Sequence, residues 1–242
     1  MLFDFNPPIA VLDSGIGGLK IAKVLSVNFP SEDIIYFADS KYIPYGKKTK
    51  KGLLKRLELL TDFLINNFNI KMLVLACNTA TVIGLEHLKN KFKIPVFGVL
   101  PSVNGTDLII CTSLTKNASK NEKFIAIPYL ASNIENDYFD DFKLKKIITK
   151  IGDKYNFNVK SITLGCTHYE LKYNIFKRCY PNVNFICPTH ETIKQVIDCN
   201  LLQNKPNLIG QVYIMSSLPS KANIDKLYKI FKELDVPSLF TR

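Results

Sequence analysis

Short apolar runs rich in Ile, Val and Leu recur along the chain, each closing on Gly, Asp, Cys or Pro, and longer segments with apolar residues at helical spacing separate them. Continuous apolar runs of this kind are the mark of parallel strands buried on both faces, and amphipathic segments between them are the crossover helices. The pattern predicts strands at 9–12, 34–38, 72–76, 96–99, 108–111, 123–126, 161–164, 184–187 and 211–215. It predicts helices at about 18–28, 47–68, 80–91, 140–155, 169–178, 190–201 and 221–234. Strand and helix in regular alternation make an α/β fold of mostly parallel sheets flanked by helices.

The segment "IPVFGVLPSVNG" (94–105) closes the first group of strands with Pro, Gly, Ser and Asn, which places a domain border near residue 98. A weak pseudo-repeat spans that border. The first half has a strand ending in Asp13-Ser14-Gly15 and a later one ending in Cys77-Asn78-Thr79; the second has Thr112-Ser113 and Cys166-Thr167-His168 in the corresponding places. The expected organisation is two pseudo-symmetric domains, the first made of residues 1–98 with about 190–242 and the second, shorter one of 99–189. Ligands in open α/β sheets bind beyond the carboxyl ends of strands, so the active site is expected in the cleft between the domains, with the two cysteines meeting across it.

Composition narrows the classes. With 242 residues, 47% hydrophobic and 22% charged, the chain can bury a globular core. The start "MLFDFNPPIAVLD" does not read as a signal peptide, and the uncharged stretch 72–85 is too short to span a bilayer as a helix, so a cytoplasmic location without membrane association is expected. In that compartment the six cysteines are reduced thiols rather than a disulfide framework. The net charge of +11 and the run "KYIPYGKKTKKGLLKR" (41–56) raise nucleic acid as a partner. Lysine far outnumbers arginine, the basic residues are spread along the chain, and no zinc-finger or RNP-type motif accompanies them, so a solvated lysine surface is the better reading.

Candidate chemistry concentrates at strand ends. "LDSGIGG" (12–18) runs from a strand through glycines into a helix and offers backbone N–H groups to an anion, although the dinucleotide spacing is absent and a plain tight turn accounts for it equally well. "ADSKYIPYG" (38–46) adds a strand-end acid and a Pro-Tyr-Gly turn that is weak evidence alone. Cys111, Cys179, Cys187 and Cys199 read as inert buried thiols. Cys77 and Cys166 differ because each stands at a strand end before small polar residues, and His168, two residues after Cys166, suits proton exchange with its thiol. Cys187 and His190 have a zinc-like spacing with Cys179 upstream, but no second pair completes four ligands and no metal is expected. A hydrolase built on one Cys–His pair remains open, at the cost of leaving Cys77 without a role.

Taken together and in order, "AVLDSGIGG", "YFADSKYIPYG", "LVLACNTAT", "IPVFGV" and "ITLGCTHYEL" closely resemble the cofactor-independent glutamate racemases of the aspartate/glutamate racemase superfamily. The resemblance is strong over 9–99, returns at 161–171 and is faint elsewhere. It implies an isomerase that holds an acidic amino acid between two α/β domains, with one cysteine on each face of the α-carbon, no cofactor, and D-glutamate for peptidoglycan as the product. It implies Cys77 as the base toward the D-enantiomer and Cys166 toward the L-enantiomer, assisted by Asp13 and His168, with Glu135 as a cleft acid. Ser14, Pro44, Tyr45, Gly46, Asn78, Thr79 and Thr167 match the substrate-pocket positions, and Thr112 and Thr115 match the family's Thr-x-x-Thr. The chain departs from the family after "FGV", where Leu100-Pro101-Ser102 replaces Ile-Glu-Pro, and in connections too short for helices at 101–108 and 119–123. Sheet surface bared by those missing helices predicts a homodimer. The alternatives are a racemase for aspartate or another acidic amino acid, and a catalytically silent binding protein that keeps the cleft.

Overall fold

The computed structural model describes residues 6–101, 103–202 and 208–236. The outer ends of the first predicted domain and Ser102 lie outside these residues. Among the described residues all strands are parallel and form two sheets, one of five strands and one of four. The first contains β1 (Ile9–Asp13), β2 (Ile34–Ala38), β3 (Met72–Leu75), β4 (Val96–Gly98) and β9 (Val212–Ser216), in the order β4-β3-β1-β2-β9. The second contains β5 (Leu108–Cys111), β6 (Phe124–Ala126), β7 (Ser161–Gly165) and β8 (Asn184–Ile186), in the order β6-β5-β7-β8.

These orders decide where a ligand can sit. From β1 the chain runs to β2 on one side and to β3 and β4 on the other, so the order reverses between β1 and β3. It reverses again between β5 and β7 in the second sheet. Helices leave such a switch point in opposite directions and open a crevice at the carboxyl ends of its two strands. In register, Leu12 lies opposite Leu75 and Cys111 opposite Gly165. The first crevice is therefore edged by Asp13 and Cys77, and the second by Thr112 and Cys166.

Alternation along each strand sorts the core. Ile9 and Val11 face one way and join a cluster that runs on through Leu108, Ile110, Ile162 and Leu164 of the second sheet. Ala10 and Leu12 face the other way, onto a separate cluster. That cluster is built largely by α2 (Lys50–Phe68), whose buried Leu53, Leu57, Leu60, Thr61 and Leu64 form one stripe at helical spacing. Thr49 caps its start by accepting from the Gly52 N–H, and Asn69 ends it in the left-handed region. The other helices are α1 (Leu19–Asn28), α3 (Asn78–Lys91), α4 (Ser113–Ala118), α5 (Leu130–Asn136), α6 (Asp141–Tyr155), α7 (Thr167–Leu171), α8 (Tyr173–Cys179), α9 (Thr189–Asp198) and α10 (Lys221–Glu233). After β8 the chain returns: α9 packs against β4 and α1, and α10 against β9 and α1.

Each expected strand is present, and the α/β class with two parallel, helix-flanked sheets stands. The pattern missed α4 and α5 and joined α7 to α8, which separate at Lys172. The connections after β4 and α4 carry no helix among the described residues, as their shortness implies. They do not leave the second sheet bare. Ile109, Cys111, Phe124 and Thr163 on its other face are buried within the chain, with α4 packed on β6. The uncovered surface invoked for a homodimer is therefore missing among the described residues.

One polar cluster fixes the loop that follows β2. Arg56 of α2 grips Asp39 with Nε 3.0 Å from Oδ2 and Nη2 2.6 Å from Oδ1, and the buried Tyr45 hydroxyl donates to the same Oδ2 at 2.8 Å. Replacing Asp39 with Ala strands both donors. Because Arg56 is still partly solvated, the loss should be on the order of 2 kcal/mol rather than the ~3–5 of a fully buried pair. A urea midpoint lowered with an unchanged slope is the expected result; an unshifted midpoint would remove this cluster from the account.

Candidate active site

A cavity of about 610 Å³ opens between the carboxyl ends of the two sheets. Cys77 enters it from the first sheet, two residues beyond β3, and Cys166 from the second, directly after β7. Each is the residue that precedes a helix, α3 or α7. Ser14, Pro44, Tyr45, Gly46, Thr79, Thr112 and His168 share the wall. Five other predicted site residues stand behind it. Asp13 is fully buried at the end of β1; Asn78 donates to the Val99 carbonyl at 3.2 Å; Thr115, Thr167 and Glu135 sit in the layer beneath. Asp13 Oδ1, Asn78 Oδ1 and Thr167 Oγ1 are buried without a hydrogen-bond partner. A larger groove of about 960 Å³ lies elsewhere, lined by Lys20, Glu170, Cys187 and His190 among others, but it holds neither site cysteine.

The glycines of "LDSGIGG" are explained by what presses on them. A Cβ on Gly15 would lie 2.3 Å from Glu135 Oε2, one on Gly17 2.6 Å from both His168 Nδ1 and Thr167 Oγ1, and one on Gly18 2.5 Å from Ala76 Cβ. The loop's N–H groups also have occupants. Gly15 N–H donates to Asp13 Oδ2 and Ile16 N–H to Glu135 Oε2, both at 2.9 Å. The anion expected at this loop is thus a pair of the chain's own carboxylates. Tyr36, from β2, donates its hydroxyl to the Gly15 carbonyl and holds the turn from below.

Threonines close the sides. Thr79 of α3 lies 2.9 Å from Thr112 and 3.4 Å from Thr115, hydroxyl to hydroxyl, while Thr112 caps α4 by accepting from the Thr115 N–H. This trio links the two sheets beside the cavity. Gly46 approaches Thr112 so closely that a Cβ would sit 3.0 Å away.

The two thiols have different surroundings. Burial, reinforced by the Asp13 charge, pushes the Cys77 thiol well above the ordinary range, despite help from the Ala80 N–H and the Ser14 hydroxyl. Burial likewise raises the Asp13 carboxyl, opposed by the His168 charge and the Gly15 N–H. On the other side, His168 Nε2 lies 2.8 Å from Glu135 Oε2. Burial by itself would discharge this imidazole, but hydrogen bonds to Cys166 and Glu135 outweigh it and raise His168 well above the usual histidine value. Burial opposes ionisation of Glu135 too, yet the His168 hydrogen bond and charge, with Lys226 and the Ile16 N–H, bring its carboxyl down to about 2. The site therefore holds a protonated Cys77 facing a Cys166 backed by an imidazolium–carboxylate pair.

Lys226, the Tyr36 prop and the Asp39–Arg56 clamp were invisible in the sequence, where Lys226 is one lysine among many on an amphipathic helix. Among the described residues no three His, Cys, Asp or Glu side chains converge in a way that could hold a metal ion. No described helix is long and apolar enough to cross a membrane.

No family model matches the chain. A glutamate racemase of Clostridium botulinum is 32% identical over 255 aligned positions, covering 93% of this chain and 97% of the relative. Among solved structures, a glutamate racemase isoform of Bacillus anthracis superposes with a TM-score of 0.81 at 25% identity, covering 97% of each chain. A glutamate racemase of Francisella tularensis, crystallised with D-glutamate, reaches 0.76 at 26% identity, covering 96% of each. Two parallel sheets facing one cleft, with this likeness along nearly the whole chain, put the protein among the racemases, which are isomerases. Within that class the relatives are specific: the chain belongs to the glutamate racemase family.

A depressed carboxyl in the folded state ties stability to pH. Glu135 stabilises the fold above its unfolded value of about 4.5, and that contribution is lost as pH falls toward about 2. Urea unfolding between pH 6 and 3 should show this acid-side loss in the native chain and a flatter profile in Glu135→Gln. Equal slopes in the two proteins would contradict the ionised assignment.

Proposed function

We propose that the chain interconverts L- and D-glutamate with two thiols acting on opposite faces of the α-carbon. The observation that carries this reading is the approach of Cys77 and Cys166 to one cavity from different sheets. Inverting a stereocentre by proton transfer requires removal from one face and delivery to the other, which two opposed groups do directly. One sulfur, as thiolate, takes the α-proton while the other, as thiol, gives its proton to the opposite face.

Which thiol carries the proton decides which enantiomer the site can act on. Cys77, kept protonated by burial, is in the donor state needed when Cys166 deprotonates L-glutamate. The His168 imidazolium is hydrogen-bonded to Cys166, beside the sulfur that takes the α-proton in this direction. After transfer Cys166 carries the proton and Cys77 is the thiolate beside Asp13, the arrangement that runs the reaction from D-glutamate. Ser14, Pro44, Tyr45, Gly46, Thr79 and Thr112 supply the wall for the substrate's carboxylates and ammonium, with Asp13, Asn78, Thr115 and Thr167 supporting it from behind. Ordered donors of this kind stabilise the carbanion-like transition state, which a thiol base cannot reach unaided. The reading needs no cofactor, and it assigns the D-glutamate to peptidoglycan synthesis in a bacterial cytoplasm. It also treats residues 1–98 with 190–242, and 99–189, as the two domains that close on the substrate.

Replacing either cysteine with Ser removes one base, because a hydroxyl is far less acidic than a thiol. Cys77→Ser and Cys166→Ser should each lower racemisation by about a thousandfold. Each keeps one thiol that can abstract a proton and expel a leaving group from a β-substituted glutamate. Cys77→Ser should then process the L-form and Cys166→Ser the D-form. Racemisation persisting in Cys77→Ser would favour a single Cys–His pair, and faster turnover of aspartate than glutamate would reassign the substrate.

A further inference from the structure

The last helix places a cation against the acid that supports His168. Lys226, on α10, donates from Nζ to the Glu135 main-chain carbonyl and lies 3.3 Å from Glu135 Oε1. Oε2 of the same carboxylate is occupied separately, by the Ile16 N–H at 2.9 Å and His168 Nε2 at 2.8 Å. The two oxygens are thereby divided: one is tied to the ammonium, the other to the glycine loop and the imidazole. Because Lys226 also grips the backbone of the residue it pairs with, it constrains where that side chain starts as well as where it ends.

The contact crosses the molecule. α10 packs on β9 and α1, with the first sheet, whereas Glu135 belongs to α5, which packs on α6 and α7 of the second. Ile16, in the loop after β1, comes from the first sheet as well. Glu135 is thus clamped between two elements of one layer while it orients a histidine of the other. Lys226 itself keeps part of its surface in water, at 27% side-chain exposure.

The geometry points to Lys226 as a positioning residue for the Glu135–His168 pair, one that fixes the carboxylate so that Oε2 stays on Nε2 and the imidazole stays on Cys166. The structural claim stands on these contacts, and its kinetic consequence rests on the racemase reading above. The groups that bear on the pair are Asp13 from β1, Cys166 at the start of α7, and Lys226 itself.

A lysine that merely adds charge and one that holds a carboxylate in place predict opposite results on removal. In the first case the imidazolium loses a nearby positive charge and His168 titrates higher. In the second the imidazolium loses its fixed acceptor and His168 titrates lower. The experiment is a pH titration of the full chain with 15N-labelled histidine, in which His87 and His190 serve as internal references. Lys226→Met should lower the His168 midpoint by about one unit, with kcat for glutamate down about tenfold and KM within about twofold. Lys226→Arg, which keeps donors and charge, should restore both. If Lys226→Met does not fold, Lys226→Gln carries the same test, since its amide is neutral and its side chain is one bond shorter than that of lysine. A His168 midpoint that rises or stays fixed in the folded variant overturns the proposal. The titration requires no turnover, so a native chain that fails to racemise glutamate would count against the proposed activity and leave this result standing.

Discussion

A single buried carboxylate organises the site. Glu135 accepts from the Ile16 backbone on the first sheet's side, from His168 on the second sheet's side, and from Lys226 on the returning helix. An isolated carboxylate so deeply buried would protonate; with these partners it stays ionised, and its charge in turn keeps His168 cationic. The close approach that makes this possible is why glycines occupy positions 15 and 17: any side chain there would push Glu135, His168 or Thr167 away.

Parallel sheet construction supplies the rest of the geometry. Strand order reverses between β1 and β3 and between β5 and β7, and the site residues cluster at those two reversals. Asp13 and Cys77 edge the first, Thr112 and Cys166 the second. One hydrophobic cluster passes through both sheets, and the Thr79–Thr112–Thr115 hydroxyls join them at the cavity, so both packing and hydrogen bonding set how the two thiols face each other.

What could be read in advance follows from how each feature is encoded. Buried parallel strands write themselves as uninterrupted apolar runs with polar stops, which is why β1, β3 and β7, and the cysteines that follow the last two, were legible. Helices α4 and α5 were not, because six and seven residues give too few turns for a stripe to emerge, and because α5 starts from Tyr129 in a left-handed conformation that no local signal announces. Asn78 and Thr167 were expected at the pocket surface and stand behind it, since side-chain direction at a helix start depends on packing that spacing does not record. Glu135 was reached through family resemblance alone. The partnership of Lys226 with it joins residues 91 positions apart and leaves no trace in a lysine-rich sequence. The sheet surface that missing helices were expected to bare is buried within the chain for a related reason: Ile109, Cys111 and Phe124 are enclosed, with α4, unannounced by the pattern, packed on β6.

The central claim is that one group removes the α-proton and a second delivers a different proton to the opposite face, and isotope labelling reads this without altering any residue. The purified chain is given protiated L-glutamate in deuterium oxide, and the two enantiomers are separated and analysed by mass spectrometry during the first few per cent of conversion. Two opposed thiols predict D-glutamate that carries one α-deuterium from its first appearance, while the remaining L-glutamate stays protiated. Deuterium entering L-glutamate as fast as D-glutamate forms, or D-glutamate that retains its original proton, would contradict the account.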